Sequence, residues 1–213
     1  NSCTGITTQS PFYGSSMYFD GTSGTNGTKN VGTNNGMYVD HGGFCQECWV
    51  YSTEAQANRP INFSNDLKGN GYVYTEIGNW QGSQVGRVSA RGANLSGHLY
   101  QMDNSFGSSA ITYLYGVGIN EWHHIAFTWD ERTSRLFLDG TMVIEEKRDN
   151  AHYRYPFKSM KIRVSGDEVG WPATGDDCWG NIKGHICDAR MYWGTPKYTK
   201  NFKPPSVRPS LLQ

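Results

Sequence analysis

The sequence has little charge and no excess of either sign. Its 213 residues carry 19 Lys and Arg against 19 Asp and Glu, so charged residues make up 18% of the chain. Soluble domains average about 25%. No run of Lys or Arg occurs, which leaves the chain without the electrostatic footprint of a nucleic-acid-binding protein. Its apolar runs are too short to span a bilayer, so we expect no membrane insertion.

The chain also lacks any sustained apolar period of 3.6 residues. Its 26 glycines weigh against helices, because each Gly weakens a helix by about 1 kcal/mol relative to Ala. Aromatic residues are abundant instead, at 14%, and turn signals recur about every eight to fifteen residues, as in β-sandwiches and barrels. These features predict an all-β protein with one domain.

Motifs of catalysis are missing as well. The sequence has no Gly-x-Ser-x-Gly and no His-Glu-x-x-His motif, and no cluster of acids spaced along one face of a strand, as a glycosidase would need. Glu145 and Glu146 are adjacent and would point to opposite sides of a strand, as would His123 and His124. Glu47 stands alone among apolar residues. We therefore predict that the protein is not an enzyme.

Five cysteines, at positions 3, 45, 48, 178 and 187, leave at least one thiol without a partner in the chain. Cys45 and Cys48 have no second ligand pair for zinc, and they lie in a strand-like run rather than at a helix start that would stabilise a thiolate. Cys178 and Cys187 flank a segment containing Gly and could form a disulfide in an oxidising environment.

Short apolar or alternating runs between turn residues predict the strands. The strongest unit is a strand over 121–129, a turn, a strand over 135–138, the turn Asp139-Gly140 and a return strand over 141–144. Residues 21–36 are predicted to be a loop rich in Gly, Thr and Asn, and 52–60 has room for one helical turn. The other predicted strands are 16–20, 37–40, 44–51, 72–77, 85–90, 99–102, 110–115, 158–164 and 182–192.

Three regions follow from this pattern. Residues 1–15 are predicted to be an N-terminal arm and 16–195 the folded domain. Residues 196–213 contain four prolines and are predicted to be a tail that wraps an edge or links onward. The chain begins at Asn1 with no visible leader, so we expect either that a leader was removed or that this is a piece of a longer polypeptide.

The run from Asn120 to Asp130, followed by Leu136-Phe-Leu-Asp-Gly140, resembles the signature of laminin-G/pentraxin-like domains. Segments 16–21, 47–51 and 184–192 resemble other strands of that family in the same order. Residues 198–205 resemble a tail of such domains in bacteriophage and marine microbial surface proteins. The resemblance implies a concanavalin A-like jelly roll, a sandwich of two packed antiparallel sheets. It implies less about function, because this fold carries lectins, adhesion modules, spacers and polysaccharide-cleaving enzymes.

Members of this family often hold Ca²⁺ at one rim with loop oxygens. Two acidic pairs bracket a Gly-rich loop and are candidate calcium ligands: Asp167 with Glu168, and Asp176 with Asp177. A solvated loop that binds no calcium would have the same composition. For a glycan, the candidates are the loop tryptophans, since sugars pack on aromatic rings: Trp80, Trp171 and Trp179. Trp49 and Trp122 match strand positions of the family and are predicted to be packed.

We therefore expect a non-enzymatic module outside the cell or on a virion surface that recognises or adheres to surface glycans. The alternative is a structural or decoration subunit of a phage particle or extracellular filament, which would contact copies of itself or other subunits through loop 21–36 and the tail. A polysaccharide-cleaving enzyme is a third hypothesis, and it would require two carboxylates facing each other across an open groove.

Overall fold

A computed structural model gives the arrangement of the strands. It describes residues 5–12, 14–21, 27–30, 37–38, 43–54, 61–65, 72–78, 87–94, 97–101, 119–130, 133–147, 156–157, 160–164 and 182–206. Regular secondary structure in these ranges is all β-strand, so the described chain contains no helix that could cross a membrane. The strands are β1 (Gly5–Thr7), β2 (Ser16–Asp20), β3 (Gly27–Asn30), β4 (Met37–Tyr38), β5 (Phe44–Ser52), β6 (Ile61–Asn65), β7 (Tyr72–Gly78), β8 (Arg87–Asn94), β9 (Gly97–Gln101), β10 (Trp122–Asp130), β11 (Thr133–Leu138), β12 (Thr141–Lys147), β13 (Pro156–Phe157), β14 (Met160–Val164) and β15 (Lys183–Trp193).

Two antiparallel sheets contain most of these strands. The first has seven strands in the order β1-β2-β15-β5-β10-β11-β12, and the second has six in the order β3-β14-β6-β7-β8-β9. Strands β4 and β13 form a separate pair. Strands β6, β7 and β8 of the second sheet lie against β5, β10 and β11 of the first. The predicted all-β, two-sheet antiparallel jelly-roll sandwich is confirmed.

The inner face of the seven-stranded sheet supplies the described part of the core. Successive residues of a strand point to opposite faces, and cross-strand partners share a face. Apolar residues alternate accordingly, and burying each large one contributes about 1.5–3 kcal/mol. Seven apolar side chains of the inner face are at most 1% exposed: Phe19, Cys48, Val50, Ile125, Phe127, Leu136 and Ile186.

The outer face of the same sheet carries the alternate positions. In β5 these are Glu47, Trp49 and Tyr51, and their partners in β10 include His124, opposite Trp49, and Trp122, opposite Tyr51. Polar and aromatic side chains therefore share a sheet face that the second sheet does not cover. The candidate site lies on this face.

The hairpin between β11 and β12 follows the sequence prediction. Asp139 and Gly140 have φ angles of 50° and 78°, the left-handed conformation that a two-residue turn between twisted strands requires. The predicted strands 16–20, 44–51 and 121–129 are present within one residue of their ends. They are strongly patterned, which is why local sequence located them.

Other boundaries differ from the prediction. Within the predicted arm 1–15, Gly5–Thr7 form an edge strand paired with β2. Within the predicted loop 21–36, Gly27–Asn30 pair with β14. Strand β6 was not predicted, and the strand predicted over 85–90 lies at Arg87–Asn94. These strands are short or polar, and they form because a neighbouring strand offers free backbone groups rather than because of an apolar pattern. The strand predicted over 110–115 lies outside the described residues.

The predicted tail is part of the folded domain as far as Ser206. It lies across the outer face of the seven-stranded sheet rather than around an edge. The Thr128 hydroxyl donates to the carbonyl of Tyr198 at 2.9 Å, and the backbone N–H of Phe202 donates to the carbonyl of Gly140 at 2.9 Å. Aromatic residues between the prolines pack on the sheet. A composition rich in proline did not predict this packing.

Candidate functional site

Four aromatic residues occupy one register line across the outer face, and we call them the aromatic row. Tyr18, His185, Tyr51 and Trp122 come from β2, β15, β5 and β10, which are neighbours in that order. Each is the register partner of the next. The ring centroids of Tyr18 and His185 are 5.2 Å apart. Those of His185, Tyr51 and Trp122 are 5.6, 5.5 and 6.3 Å apart, so these three rings form a triangle with Tyr18 beside it. The rings meet at angles of 48°, 80° and 56°, so each ring edge supports its neighbour and fixes its orientation.

The members of the row differ in exposure. Tyr18, Tyr51 and Trp122 are half-buried, whereas His185 lies beneath them at 7% exposed. Burial lowers the pKa of His185, so its ring is neutral at neutral pH. Its Nδ1 lies 3.3 Å from the Ser16 hydroxyl. The row therefore presents three partly accessible rings around an uncharged centre.

Charged residues at the strand ends border the row on one side, and we call them the polar rim. Lys183 lies two residues before His185, on the same face, with Asp20 as its register partner. Its ammonium nitrogen is 2.5 Å from Glu54 Oε1, with the two side chains 45% and 40% exposed. The hydrogen bond that Lys183 donates to Glu54 raises the pKa of Lys183. Glu121, 55% exposed, precedes Trp122 but is not part of this rim, because its carboxylate lies 3.2 Å from His123 on the other side of the sheet.

The opposite side of the row is covered by residues 197–206, which we call the strap. Tyr198 and Phe202 stack with centroids 3.5 Å apart, and Phe202 packs its edge against His124 and Phe137 at 5.7 and 5.3 Å. The indole N–H of Trp49 donates to the carbonyl of Pro205 at 3.1 Å. Phe12 contacts the same indole edge to face at 5.9 Å. Trp49, next to the aromatic row on this side, is therefore partly covered and half-buried.

Glu47 lies beneath the strap and is 1% exposed. Its Oε1 accepts hydrogen bonds from the Lys197 ammonium at 2.5 Å and the Tyr192 hydroxyl at 3.1 Å, and its Oε2 lies 3.5 Å from His124 Nε2. Burial alone would raise the pKa of Glu47, but hydrogen bonds from His124, Lys197 and Tyr198 outweigh it and lower the pKa to about 2. The carboxylate is therefore ionised at neutral pH and attaches the strap to the sheet.

His123 and His124 lie on opposite faces, as predicted. His123 Nδ1 is 2.8 Å from Asp139 Oδ2, and its Nε2 is 3.2 Å from Glu121 Oε1. Burial opposes protonation, but the hydrogen bond and charge of Asp139, followed by Glu121, raise the pKa of His123. Asp139 and Glu121 contact different nitrogens of the His123 ring, so their carboxylates cannot bind the same metal ion. Among the residues with assigned positions, no group of three or more His, Cys, Asp or Glu could hold a metal ion.

Comparison with protein families adds to this geometry. The family model of laminin-G type described as the concanavalin A-like lectin/glucanases superfamily matches residues 23–192. The chain belongs to this superfamily. The strap lies beyond the matched range, so the family pattern does not account for it. No protein of curated function matches the chain by sequence.

Two solved structures share the superfamily fold. One is domain 4 of AbnA, an extracellular arabinanase of Geobacillus stearothermophilus, with a TM-score of 0.54 and 14% identity over 90% of this chain and 75% of that domain. The other is a heptameric SAP-like pentraxin of Limulus polyphemus, with a TM-score of 0.51 and 8% identity over 80% of this chain and 76% of that one. At these identities the likeness shows the fold alone.

Most site residues selected from the sequence lie outside the described residues and stay predictions. They are the glycan candidates Trp80, Trp171 and Trp179, the calcium candidates Asp167, Glu168, Asp176 and Asp177, and Cys178. Cys187 is described as a buried free thiol with its sulfur 3.6 Å from the carbonyl of Ser15. Cys178 lies outside the described residues, so the pairing of Cys178 with Cys187 stays a prediction for oxidising conditions.

Sequence reasoning missed the aromatic row. The superfamily pattern indicated that Trp49 and Trp122 are packed strand residues, and the structure has Trp49 half-buried in contact with the strap. Trp122 is half-buried beside Tyr51 on the outer face. Strand alternation assigns each of these residues to a face, but it does not say which strands are neighbours. The row became visible only with the strand order and register.

Proposed function

We propose that this domain is a non-enzymatic carbohydrate-binding module that holds a glycan on the aromatic row. The observation that carries the proposal is the cluster of half-buried rings of Tyr18, Tyr51 and Trp122 around His185, held in fixed orientations. Sugars place apolar C–H faces against aromatic rings, while nearby polar groups bind their hydroxyls. Lys183 and Glu54 on the polar rim can donate to and accept from such hydroxyls.

The fold supports this proposal in a general way. The arabinanase domain with the same fold was solved in complex with arabinotriose, so a sandwich of this kind can hold an oligosaccharide. Specificity must come from the residues of this chain, because a shared fold does not carry a shared ligand.

The environment of Glu47 supports binding without catalysis. A glycosidase needs a carboxyl group with a raised pKa as general acid and a second carboxylate across the cleft. Glu47 is a buried carboxylate on the outer face, its pKa is lowered to about 2, and the strap covers it. Glu54 is half-exposed and ion-paired with Lys183. Glu47 is therefore not suited to donate a proton to a glycosidic oxygen.

We further propose that the module acts outside the cell or on a virion surface, where glycans are displayed. Calcium dependence belongs to the same proposal, because the sequence offers Asp167, Glu168, Asp176 and Asp177 as oxygen ligands.

A glycan array with the purified chain, probed with Ca²⁺ and with EDTA, tests the proposal. The best ligand is then titrated calorimetrically against variants of the row. We expect Trp122→Ala and Tyr51→Ala each to weaken binding about tenfold, because each removes a ring that packs on the sugar. Tyr51→Phe keeps the ring and should keep most of the affinity.

Lys147→Ala is the matched surface control, because Lys147 is 74% exposed on the edge strand β12. Its binding should equal that of the unmodified protein, and circular dichroism confirms that each variant folds. Wild-type affinity in Trp122→Ala would show that the row is not the site. If the array detects no glycan in either condition, the structural-subunit hypothesis gains support, and self-association measured by light scattering then tests it.

A further inference from the structure

We infer that Ser16 is a positioning residue of the proposed glycan site, because its hydroxyl fixes the tautomer and the ring orientation of His185 within the aromatic row. This inference rests on the proposed function and adds a residue that supports the rings without being one of them. It also gives a role in the site to the chain before residue 23, where the match to the family model begins. Three observations support it: the hydrogen bonds of Ser16, the position of His185 among the rings, and the kind of group that His185 contacts.

The hydrogen bonds of Ser16 decide which ring nitrogen of His185 carries the proton. The Ser16 hydroxyl oxygen lies 2.5 Å from the carbonyl oxygen of Gln9. Two oxygens this close need a proton between them, and a carbonyl oxygen carries none, so the hydroxyl of Ser16 donates its single proton to Gln9. The same oxygen lies 3.3 Å from His185 Nδ1. It can only accept there, so the proton of the neutral imidazole is on Nδ1 and Nε2 has a lone pair.

The other tautomer and the flipped ring are both unfavourable at this position. Ser16 and His185 are 5% and 7% exposed, so water does not readily replace their contact. With no proton on Nδ1, a nitrogen lone pair would face an oxygen lone pair. Turning the imidazole over about its Cβ–Cγ bond would bring Cδ2 to the hydroxyl and lose the hydrogen bond between buried groups. Ser16 therefore favours one tautomer and one of the two ring orientations.

His185 contacts each of the other three rings of the aromatic row. Its ring centroid lies 5.2 Å from that of Tyr18, 5.6 Å from that of Tyr51 and 6.3 Å from that of Trp122. Aromatic pairs at these distances prefer edge-to-face and tilted arrangements, so the orientation of one ring limits that of its neighbour. A change in the His185 ring therefore affects every ring on which we propose that a sugar packs.

The partner of His185 is a neutral hydroxyl, and His123 shows what charged partners do. His123 has Asp139 2.8 Å from Nδ1 and Glu121 3.2 Å from Nε2. Burial opposes its protonation, but the hydrogen bond and charge of Asp139, followed by Glu121, raise the pKa of His123. Ser16 brings no charge to His185, and burial lowers the pKa of His185. Because a neutral imidazole has one ring proton, the contact with Ser16 is enough to define its tautomer.

The tautomer of His185 can be measured without any ligand. Long-range proton–nitrogen NMR spectra of the nitrogen-labelled protein at about pH 7.5, where His185 is neutral, show which imidazole nitrogen carries the proton. The signals that are absent from the spectrum of His185→Gln identify those of His185. We expect the proton on Nδ1 in the unmodified protein and at least partly on Nε2 in Ser16→Ala. Ser16→Thr keeps a hydroxyl and should keep the proton on Nδ1.

Calorimetric binding of the best ligand from the glycan array connects the tautomer to the site. Ser16→Ala should weaken binding about threefold to tenfold, the loss expected for one hydrogen bond. Ser16→Thr should restore the affinity to within about twofold of that of the unmodified protein.

Thr128→Val is the matched control. Thr128 is also buried, and its hydroxyl also donates to a backbone carbonyl, that of Tyr198, at 2.9 Å. It lies towards the other end of β10 from Trp122. Its loss should lower the free energy of unfolding but leave the His185 tautomer and the affinity for the glycan unchanged.

The outcomes separate this inference from the proposed function. A proton on Nε2 of His185 in the unmodified protein would overturn the inference, and that measurement needs no Ser16 variant to fold. An unchanged tautomer in Ser16→Ala, or an equal loss of affinity in Thr128→Val, would also overturn it. Unchanged affinity in Ser16→Ala with weakened binding in Trp122→Ala would overturn it and leave glycan binding in place. Unchanged affinity in both variants would overturn the proposed function itself.

Discussion

At the scale of single residues, Glu47 holds the strap on the sheet. Glu47→Gln keeps the shape of the side chain but leaves the ammonium of Lys197, 27% exposed, without its anionic partner. Removing one partner of a buried ion pair costs about 3–5 kcal/mol. Because Lys197 retains some contact with water, we expect the free energy of unfolding in urea to fall by about 2–3 kcal/mol.

Glu145→Gln is the matched control for that substitution. Glu145 also pairs with a cation, Arg135, but its side chain is 32% exposed, so we expect a loss below about 1 kcal/mol. Equal losses in the two variants would contradict a special role for the buried pair.

The pH dependence of stability gives a second readout for Glu47. Its pKa falls from the ordinary value of 4.5 to about 2 on folding. A carboxyl group whose pKa is lowered by folding contributes its full stability above the unfolded value and loses it as the pH falls through the folded value. Between about pH 4.5 and pH 2 the unmodified protein should therefore lose stability more steeply than Glu47→Gln. Parallel curves would contradict the assigned charge state.

At the scale of elements, the β11–β12 turn and the strap depend on each other. Gly140 has a φ of 78°, and a Cβ added there would lie 2.0 Å from the carbonyl oxygen of Phe202. Gly140→Ala should strain the left-handed backbone by about 1–2 kcal/mol and also displace the strap. Gly14→Ala separates the two effects, since Gly14 has a φ of 76° and nothing within 4 Å of its added Cβ.

Urea unfolding of both glycine variants measures the difference. We expect Gly140→Ala to lose at least about 1 kcal/mol more than Gly14→Ala, because only Gly140 is in contact with the strap. A smaller or equal loss would mean that the strap does not pack on this turn in solution.

The hairpin and the strap also show which elements local sequence can predict. Asp139-Gly140 between two apolar runs identifies a hairpin with no knowledge of the rest of the chain. The strap contains prolines, forms no strand within 197–206, and depends on side chains such as Tyr198 and Phe202 that reach Phe137 on β11. Its composition resembles that of a linker, so its packing could not be predicted from the sequence.

At the scale of the whole molecule, the cysteines report on the integrity of the sandwich. Cys45, Cys48 and Cys187 are buried, and burial raises the pKa of each thiol. Since the thiolate is the reactive form, we expect these three to resist Ellman's reagent in the native protein. At most two of the five cysteines, Cys3 and Cys178, should react rapidly.

Denaturation gives the control for this labelling. In denaturant without reductant, five reactive thiols indicate that no disulfide is present, and three indicate that one pair, such as Cys178 and Cys187, has formed. Rapid labelling of more than two thiols in the native state would contradict the described burial.

The sequence by itself determined the fold class and the local elements. Alternation and turn residues located β2, β5, β10 and the β11–β12 hairpin, because each depends on contacts between residues close in the chain. The tertiary structure decided the site. Glu47 and Lys197 are 150 residues apart in the sequence, and the aromatic row needs four strands in one order and one register. A slip of one residue in any strand would move its ring to the other face, and no local pattern encodes that alignment.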